Sequence, residues 1–243
     1  MPDNEIVKVK VTGDFACFTR PDLKVERMSY PCMTPSAARG ILDSILWKPE
    51  FKWWVRSIKI LKPIVFLSLT RNEINSKQTS KPIEVDLVDK NGKPMYRAQR
   101  NSIVLKDVSY LIEASIYQDK NDDSNPPKKY VEMFRRRVRK GQCWRRPYLG
   151  TREFAAEFFE PDGTEQPIKD TMPIGSMLFD IFYDEKGKPT PLFFHDVAII
   201  KGVLACPDNL NLKMMHSSHI RPELKQAISS VIYDFNLNEK MEE

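Results

Sequence analysis

The residues in this chain best suited to chemistry lie between Lys128 and Arg152, KKYVEMFRRRVRKGQCWRRPYLGTR. Ten cations stand there (Lys128, Lys129, Arg135, Arg136, Arg137, Arg139, Lys140, Arg145, Arg146 and Arg152) against one carboxylate, Glu132. The whole chain carries 38 Lys and Arg against 33 Asp and Glu, a net charge of +5. The rest of the sequence is therefore slightly acidic, and the positive charge is concentrated. Cations interleaved with Tyr130, Phe134, Trp144 and Tyr148 suit a phosphate backbone whose bases stack on rings. Most of these cations are arginine, whose planar fork binds phosphate at two points and stacks flat on a base. The same pattern also describes a solvated helix face followed by a basic loop, and both readings stand at this point.

Other chemistry is thinly represented. No P-loop, HExxH, GxSxG or GxGxxG motif occurs. Asp180, Asp184 and Asp196 are a candidate metal-binding set, although acids beside strands are more often surface residues. His216 and His219, three apart, read as a polar surface pair or a metal clasp. His195, between Phe194 and Asp196, reads as a hydrogen-bonded strand histidine. Cys17, Cys32, Cys143 and Cys206 lie outside any CxxC spacing and read as reduced thiols. No metal and no cofactor is expected. No apolar run reaches 18 residues, and MPDNEIVKVK lacks the apolar core of a signal peptide. The expectation is a cytoplasmic protein with no membrane partner.

The elements that must position the basic stretch follow from periodicity. Val7, Val9 and Val11 alternate with Lys8, Lys10 and Thr12, a half-buried strand. Gly13-Asp14 reads as an interruption before Phe15–Phe18, and residues 19–33 as a long loop. Thr34-Pro35 opens a helix bearing Ala38, Ile41, Leu42 and Ile45 at helical spacing, with Gly40 inside it and Pro49 ending it. The interior glycine either is merely tolerated or permits close approach of a backbone or RNA. Residues 51–61 and 64–69 read as strands, 71–101 as an inserted hairpin or excursion turning at Asn91-Gly92, and 104–117 as a strand. Asn125 is the expected cap of a second helix running from Pro126 to about Lys140. Its apolar stripe is Tyr130, Phe134 and Val138, and Gly141 stops it. Strands are then predicted over 151–159, 176–183 and 192–204, with a helix candidate over 222–235.

This order predicts an α+β chain: a ferredoxin-like βαββαβ domain over residues 1–161, with 71–101 inserted, and a small antiparallel β domain with a helical tail over 162–243. The boundary falls at Pro161-Asp162-Gly163. The RNA-recognition module shares the first topology and stacks bases on its open sheet.

Long blocks resemble one family. Residues 13–49 (GDFACFTRPDLKVERMSYPCMTPSAARGILDSILWKP), 63–74 (PIVFLSLTRNEI), 105–114 (LKDVSYLIEA) and 134–154 (FRRRVRKGQCWRRPYLGTREF) resemble the CRISPR-associated Cas-five proteins of subtype I-C. The resemblance spans most of residues 5–205. It implies a ferredoxin-like RAMP domain with a small C-terminal β unit. It also implies a protein that cuts the repeat hairpin of precursor CRISPR RNA without metal. Such a protein then keeps the 5′ handle of the mature guide beside the backbone and large subunits of a surveillance complex.

In that family a Tyr late in the first helix and a Lys-His pair opening the second are implicated in cleavage. Here the Tyr position is Leu46, Lys128 matches, and the His position is Lys129. The resemblance thus implies Lys128 and Lys129 as charge-stabilising or proton-shuttling groups, with Tyr130 as a substitute. Arg135, Arg136, Arg139, Lys140, Arg145, Arg146 and Arg152 are expected on RNA, joined by Arg20, Lys24 and Arg27 of the 19–33 loop. Two hypotheses remain: an endoribonuclease wired through these lysines, or a subunit that caps the guide RNA handle without cutting it.

Overall fold

The computed structural model describes residues 6–23, 25–77, 80, 82–118, 126–183 and 189–206. The element order is β1 (Ile6–Ala16), α1 (Pro35–Ile45), β2 (Phe51–Ile60), β3 (Phe66–Ile74), β4 (Arg97–Gln118), α2 (Pro127–Arg139), β5 (Glu157–Phe159), β6 (Met172–Tyr183), β7 (Pro189–Ile200) and β8 (Val203–Ala205). Seven strands follow one another as β5-β1-β4-β2-β8-β7-β6, and β3 pairs with β4 outside that path. Every ladder is antiparallel.

The alternation in β1 sets which face is buried. Val7, Val9 and Val11 pair with Ala114, Ile112 and Tyr110 of β4 and are fully buried. Val55, Ile58 and Ile60 of β2 join the same layer from the other side of β4. Both helices pack there. α1 lays Ala38, Ile41, Leu42 and Ile45 into it, while α2 contributes Tyr130, Val131, Phe134 and Val138. α1 begins as its sequence predicts: the Thr34 side chain accepts a hydrogen bond from the Ala37 N–H (3.2 Å), and Pro35 occupies the first turn. The sheet curves around α1, so that β6, at its far end, also touches this helix.

Several boundaries differ from expectation. Gly13 does not break β1. It pairs with Val108, and a Cβ there would stand 2.4 Å from the Leu149 side chain. The polar 71–101 segment is a hairpin whose arms, β3 and the first half of β4, pair from Phe66↔Leu105 to Ile74↔Arg97. β4 changes partners near Asp107, whose φ is 51°. That left-handed kink releases it from β3 and sends it between β1 and β2. Of the predicted 151–159 strand only Glu157–Phe159 forms.

The apolar run 192–204 is two strands, β7 and β8, joined through Lys201 (φ 49°) and Gly202 (φ 73°). Two consecutive positive φ values make the tight hairpin turn that matches strand twist, and apolar content masked it. A Cβ on Gly202 would stand 2.2 Å from the Ile168 carbonyl oxygen. β8 then pairs with β2, so one sheet runs through both halves of the chain. The predicted helix over 222–235 lies outside the described residues.

The face of β1, β4 and β2 opposite the helices is not an open stacking platform. Lys8 and Lys59 converge on Glu113 at 3.2 and 2.9 Å. The segment after β5 crosses this face. Glu165 reaches Lys10 (3.5 Å), and the Ile168 N–H donates to the Ile60 carbonyl (2.9 Å). Leu111 and Ser109, on this side of β4, are buried.

Candidate nucleic-acid interface

α2 organises the basic stretch by helical periodicity. Residues at i+4 share a face, so Tyr130, Phe134 and Val138 go into the core. There the Tyr130 ring lies 4.9 Å from Phe51 and the Phe134 ring 4.9 Å from Trp53. The opposite stripe brings Lys129, Glu132, Met133, Arg136, Arg139 and Lys140 along one open groove of about 540 Å³. Helical spacing has therefore turned a run of charge into a directed cationic wall.

The N-terminus of α2 adds to this field. Pro126 is the N-cap, one residue past the expected cap Asn125, and it supplies no side-chain cap. Asn125 lies outside the described residues. No acid occupies the first turn, and Lys128 and Lys129 are exposed there. Side chains on the first turn sit at the positive end of the helix dipole, where anions are favoured. Two lysines on that turn make it a phosphate-attracting point. Tyr130, by contrast, is buried, and a proton-transfer role would require its ring to leave the core. Leu46, at the position where the family resemblance implies a tyrosine, is also fully buried.

The remaining cations divide by what they touch. Arg135 pairs with Glu132 (2.9 Å) and reaches the Ile6 carbonyl (3.4 Å). Arg137 donates to the Ile45 carbonyl (2.6 Å) and so caps the C-terminal end of α1. Arg139 lies 3.8 Å from Glu160. Lys128, Arg136, Lys140, Arg145, Arg146 and Arg152 have no carboxylate partner for their side chains among the described residues. Arg146 opens onto a different groove, about 440 Å³, shared with Lys62, Asp107, Glu153 and Glu157.

In the 19–33 loop, Arg20 is held by Asp22 (3.2 Å), a contact that raises the arginine's pKa. Arg27 is held by Glu73 (3.4 Å) and Glu153 (3.7 Å). Arg71 also bonds Glu153, so these ion pairs fasten the β3–β4 hairpin to the turn after α2. Lys24 lies outside the described residues. Of the interleaved aromatics, Tyr130 and Phe134 are core residues, while Trp144 is 76 % exposed and Tyr148 36 %. The exposed aromatic rings of this stretch therefore lie in the loop after the helix.

The carboxylate and histidine alternatives resolve differently. Asp180 accepts two hydrogen bonds from Arg39, each 2.7 Å, which removes it from a metal-ligand set. Asp184, His216 and His219 lie outside the described residues. Nδ1 of His195 is 2.7 Å from the Ser176 hydroxyl on the neighbouring strand. Among the described residues no three His, Cys, Asp or Glu side chains gather as a metal site, and no helix is long and apolar enough to cross a membrane.

Sequence reasoning missed Arg39 as the shared partner of Asp43 and Asp180. The i,i+4 spacing of Arg39 and Asp43 was a readable signal for half of that network; the pairing with a residue 141 positions away was not.

Comparison with known proteins gives concordant matches. A family model described as CRISPR-associated protein (Cas_Cas5), in its Cas5d form, matches residues 6–232. The chain is 44% identical over 218 residues to a protein of Thermus thermophilus named CRISPR pre-crRNA endoribonuclease Cas5d, covering 83% of this chain and 91% of that one. A protein of the same name from Mannheimia succiniciproducens is 40% identical, covering 83% and 94%. Among solved structures, a CRISPR-associated protein superposes with a TM-score of 0.60 at 22% identity, over 88% of this chain and 94% of that one. A functionally uncharacterized protein from Streptococcus mutans gives 0.58 at 22%, over 83% and 92%. These two matches show a shared fold.

Proposed function

The chain belongs to the Cas5 family of CRISPR-associated proteins, and from that membership we propose that it is an RNA-binding endoribonuclease acting on precursor CRISPR RNA. Its substrate is the repeat hairpin. The cut needs no metal, and the protein afterwards retains the 5′ handle within a subtype I-C surveillance complex, against the backbone and large subunits. The observation that carries this reading is the cationic wall of α2, from Lys129 to Lys140, headed by two lysines on a first turn to which the N-cap Pro126 gives no side-chain cap.

The strand order β5-β1-β4-β2, all antiparallel, with a helix after β1 and another after β4, supports the ferredoxin-like reading of the first 161 residues. Residues 162–243 are proposed as the second unit, although its β8 extends the same sheet.

The chemistry is an attack of the ribose 2′-oxygen on the adjacent phosphorus. The 2′-O–P bond forms, the P–O5′ bond breaks, and the proton lost from the 2′-hydroxyl is balanced by one gained at the 5′-oxygen. The products are a 2′,3′-cyclic phosphate and a 5′-hydroxyl. Charge builds on the phosphoryl oxygens in between, where fixed cations count most. On this reading Lys128 and Lys129, on the first turn of α2, stabilise that charge and deliver a proton to the leaving oxygen. Holding the phosphate in line supplies much of the remaining acceleration.

The test is incubation of the purified protein with its cognate repeat RNA in EDTA. One cut at the hairpin base, ending in a cyclic phosphate, is expected. RNA that is bound tightly but stays intact would favour the handle-capping role, and cleavage only on adding a divalent cation would overturn the metal-free route.

A further inference from the structure

Resting on the RNA-binding reading above, we infer that a cavity between α1, β6 and the loop after α2 receives one unstacked base of the RNA. The cavity measures about 310 Å³, at the low end of the roughly 300–1,000 Å³ range of ligand pockets. Thr19, Ser36, Gly40, Tyr148, Leu178 and Ile181 line it.

Three features point to a base. First, no charged side chain lines the cavity. A phosphate would be poorly held there, whereas a neutral ring with polar edges fits a lining of hydroxyls, aliphatic groups and the rings of Phe18 and Tyr148. Recognition of single-stranded RNA works in this way, by splaying a base onto an aromatic ring and bonding its edges.

Second, the cavity is joined to the cationic loop. The Trp144 and Arg145 N–H groups both donate to the Ser44 carbonyl, at 2.7 and 3.3 Å, and Ser44 also borders the cavity. Arg145, Arg146 and Tyr148 therefore stand on one short loop seated on α1. A phosphate held by Arg145 would bring an adjoining base to the cavity.

Third, Gly40 has no internal reason to be glycine. It sits inside α1, where glycine weakens a helix relative to alanine. A Cβ built on it meets nothing within 4 Å, and its backbone lacks the positive φ found at six other glycines. Gly40 is exposed and borders the cavity, so the open space beside its Cα lets a longer side chain at this position reach in. Ser44 Oγ already donates to the Gly40 carbonyl (2.7 Å) and Thr19 Oγ1 lies 3.5 Å from Cys17 Sγ, which leaves Ser36 and the Tyr148 hydroxyl to meet a base edge.

The test is a larger side chain at Gly40, which borders the cavity. Gly40→Ala and Gly40→Leu should leave the thermal midpoint unchanged or raised. Gly40→Leu should weaken binding of the repeat RNA about tenfold, the scale of removing one stacked base, without altering the salt dependence set by the phosphates. A scan of single abasic positions in the RNA should find one that weakens native binding and causes no further weakening with Gly40→Leu or with Tyr148→Ala.

Undiminished binding by Gly40→Leu, or additive effects at every abasic position, would overturn the cavity assignment and leave RNA binding intact. Native protein that fails to bind the RNA at all would overturn the reading beneath it as well.

Discussion

Arg39 on α1 and Asp180 on β6 are joined by two parallel hydrogen bonds, Nε to one carboxylate oxygen and Nη2 to the other, both 2.7 Å. The remaining Nη1 donates to Asp43 one turn along α1, also at 2.7 Å. Burial opposes the charge on Arg39, yet Asp180 and Asp43 outweigh it and raise its pKa. Burial likewise pushes the Asp43 carboxyl above its ordinary value, against the pull of Arg39. The pair locks the far end of the sheet onto the first helix, beside the cavity whose wall includes Leu178 and Ile181.

Removing one partner of such a fork leaves the other charge half-buried and unmatched. Arg39→Ala should lower unfolding stability by about 2 kcal/mol, and Asp180→Ala by a similar amount. The double variant should be destabilised by less than the sum, with a difference of about 1 kcal/mol or more. Chemical denaturation of the four proteins measures the coupling, and strict additivity would show that the fork contributes nothing.

A second prediction concerns acid. Burial opposes ionisation of Glu113, but hydrogen bonds from Lys59, Ser57 and Lys8 prevail and hold its carboxyl below the ordinary value. A lowered carboxyl stabilises the fold above the unfolded-state pKa, near 4.3, and that contribution fades as pH falls through the folded-state value. Glu113→Gln should therefore be less stable than the native chain at pH 7, by about 1 kcal/mol. The two unfolding curves should converge as the pH drops below about 4. A difference that persists at low pH would assign the effect to packing.

The cations should separate by function. Replacing Arg136, Arg139 and Lys140 with alanine should flatten the salt dependence of RNA affinity, by about one unit of slope for each phosphate no longer neutralised. Arg27→Ala should instead reduce thermal stability and leave the slope near native, because its guanidinium is engaged by Glu73 and Glu153. Equal slopes in the native and triple-variant proteins would move RNA away from α2.

The lysine pair can be tested by substitution in both directions. Lys128→Ala and Lys129→Ala should each slow cleavage of repeat RNA by about 10²-fold, the usual scale for one charge-stabilising or proton-transferring group, with little change in affinity. Lys129→His would place an imidazole where the family resemblance implies one, and its cleavage rate should gain a dependence on pH near 6.5. Single-turnover cleavage across about pH 5.5–8.5, the range that brackets an imidazole, reads both. A native rate for Lys128→Ala would remove that lysine from the chemistry.

Much of the first sheet was legible because local pattern and tertiary role agree. Alternation at Val7, Val9 and Val11, the Thr34-Pro35 cap and the i,i+4 stripe through Tyr130, Phe134 and Val138 each state in the sequence what the core requires. The β7–β8 turn was not read, because Lys201-Gly202 lies between two apolar stretches, Val197–Ile200 and Val203–Ala205, that pass together for one strand. β5 came out three residues long because the segment before it goes to the turn that holds Leu149 and Phe154 together.

The site divides along the same line. Charge concentration, the identity of the cationic residues and their helical spacing are properties of the chain, and by themselves they determined that a basic wall would form on α2. Which cations remain available was decided only by the tertiary structure. Glu73 and Glu153 reach Arg27 across loops and strands, and Arg137 is drawn to a carbonyl of α1. Electrostatic pairing depends on distance in space, and distances between remote segments are set by how the layers pack. For the same reason the cavity over Gly40 has no signature in sequence, since its walls come from separate segments that meet only when the sheet curls around the first helix.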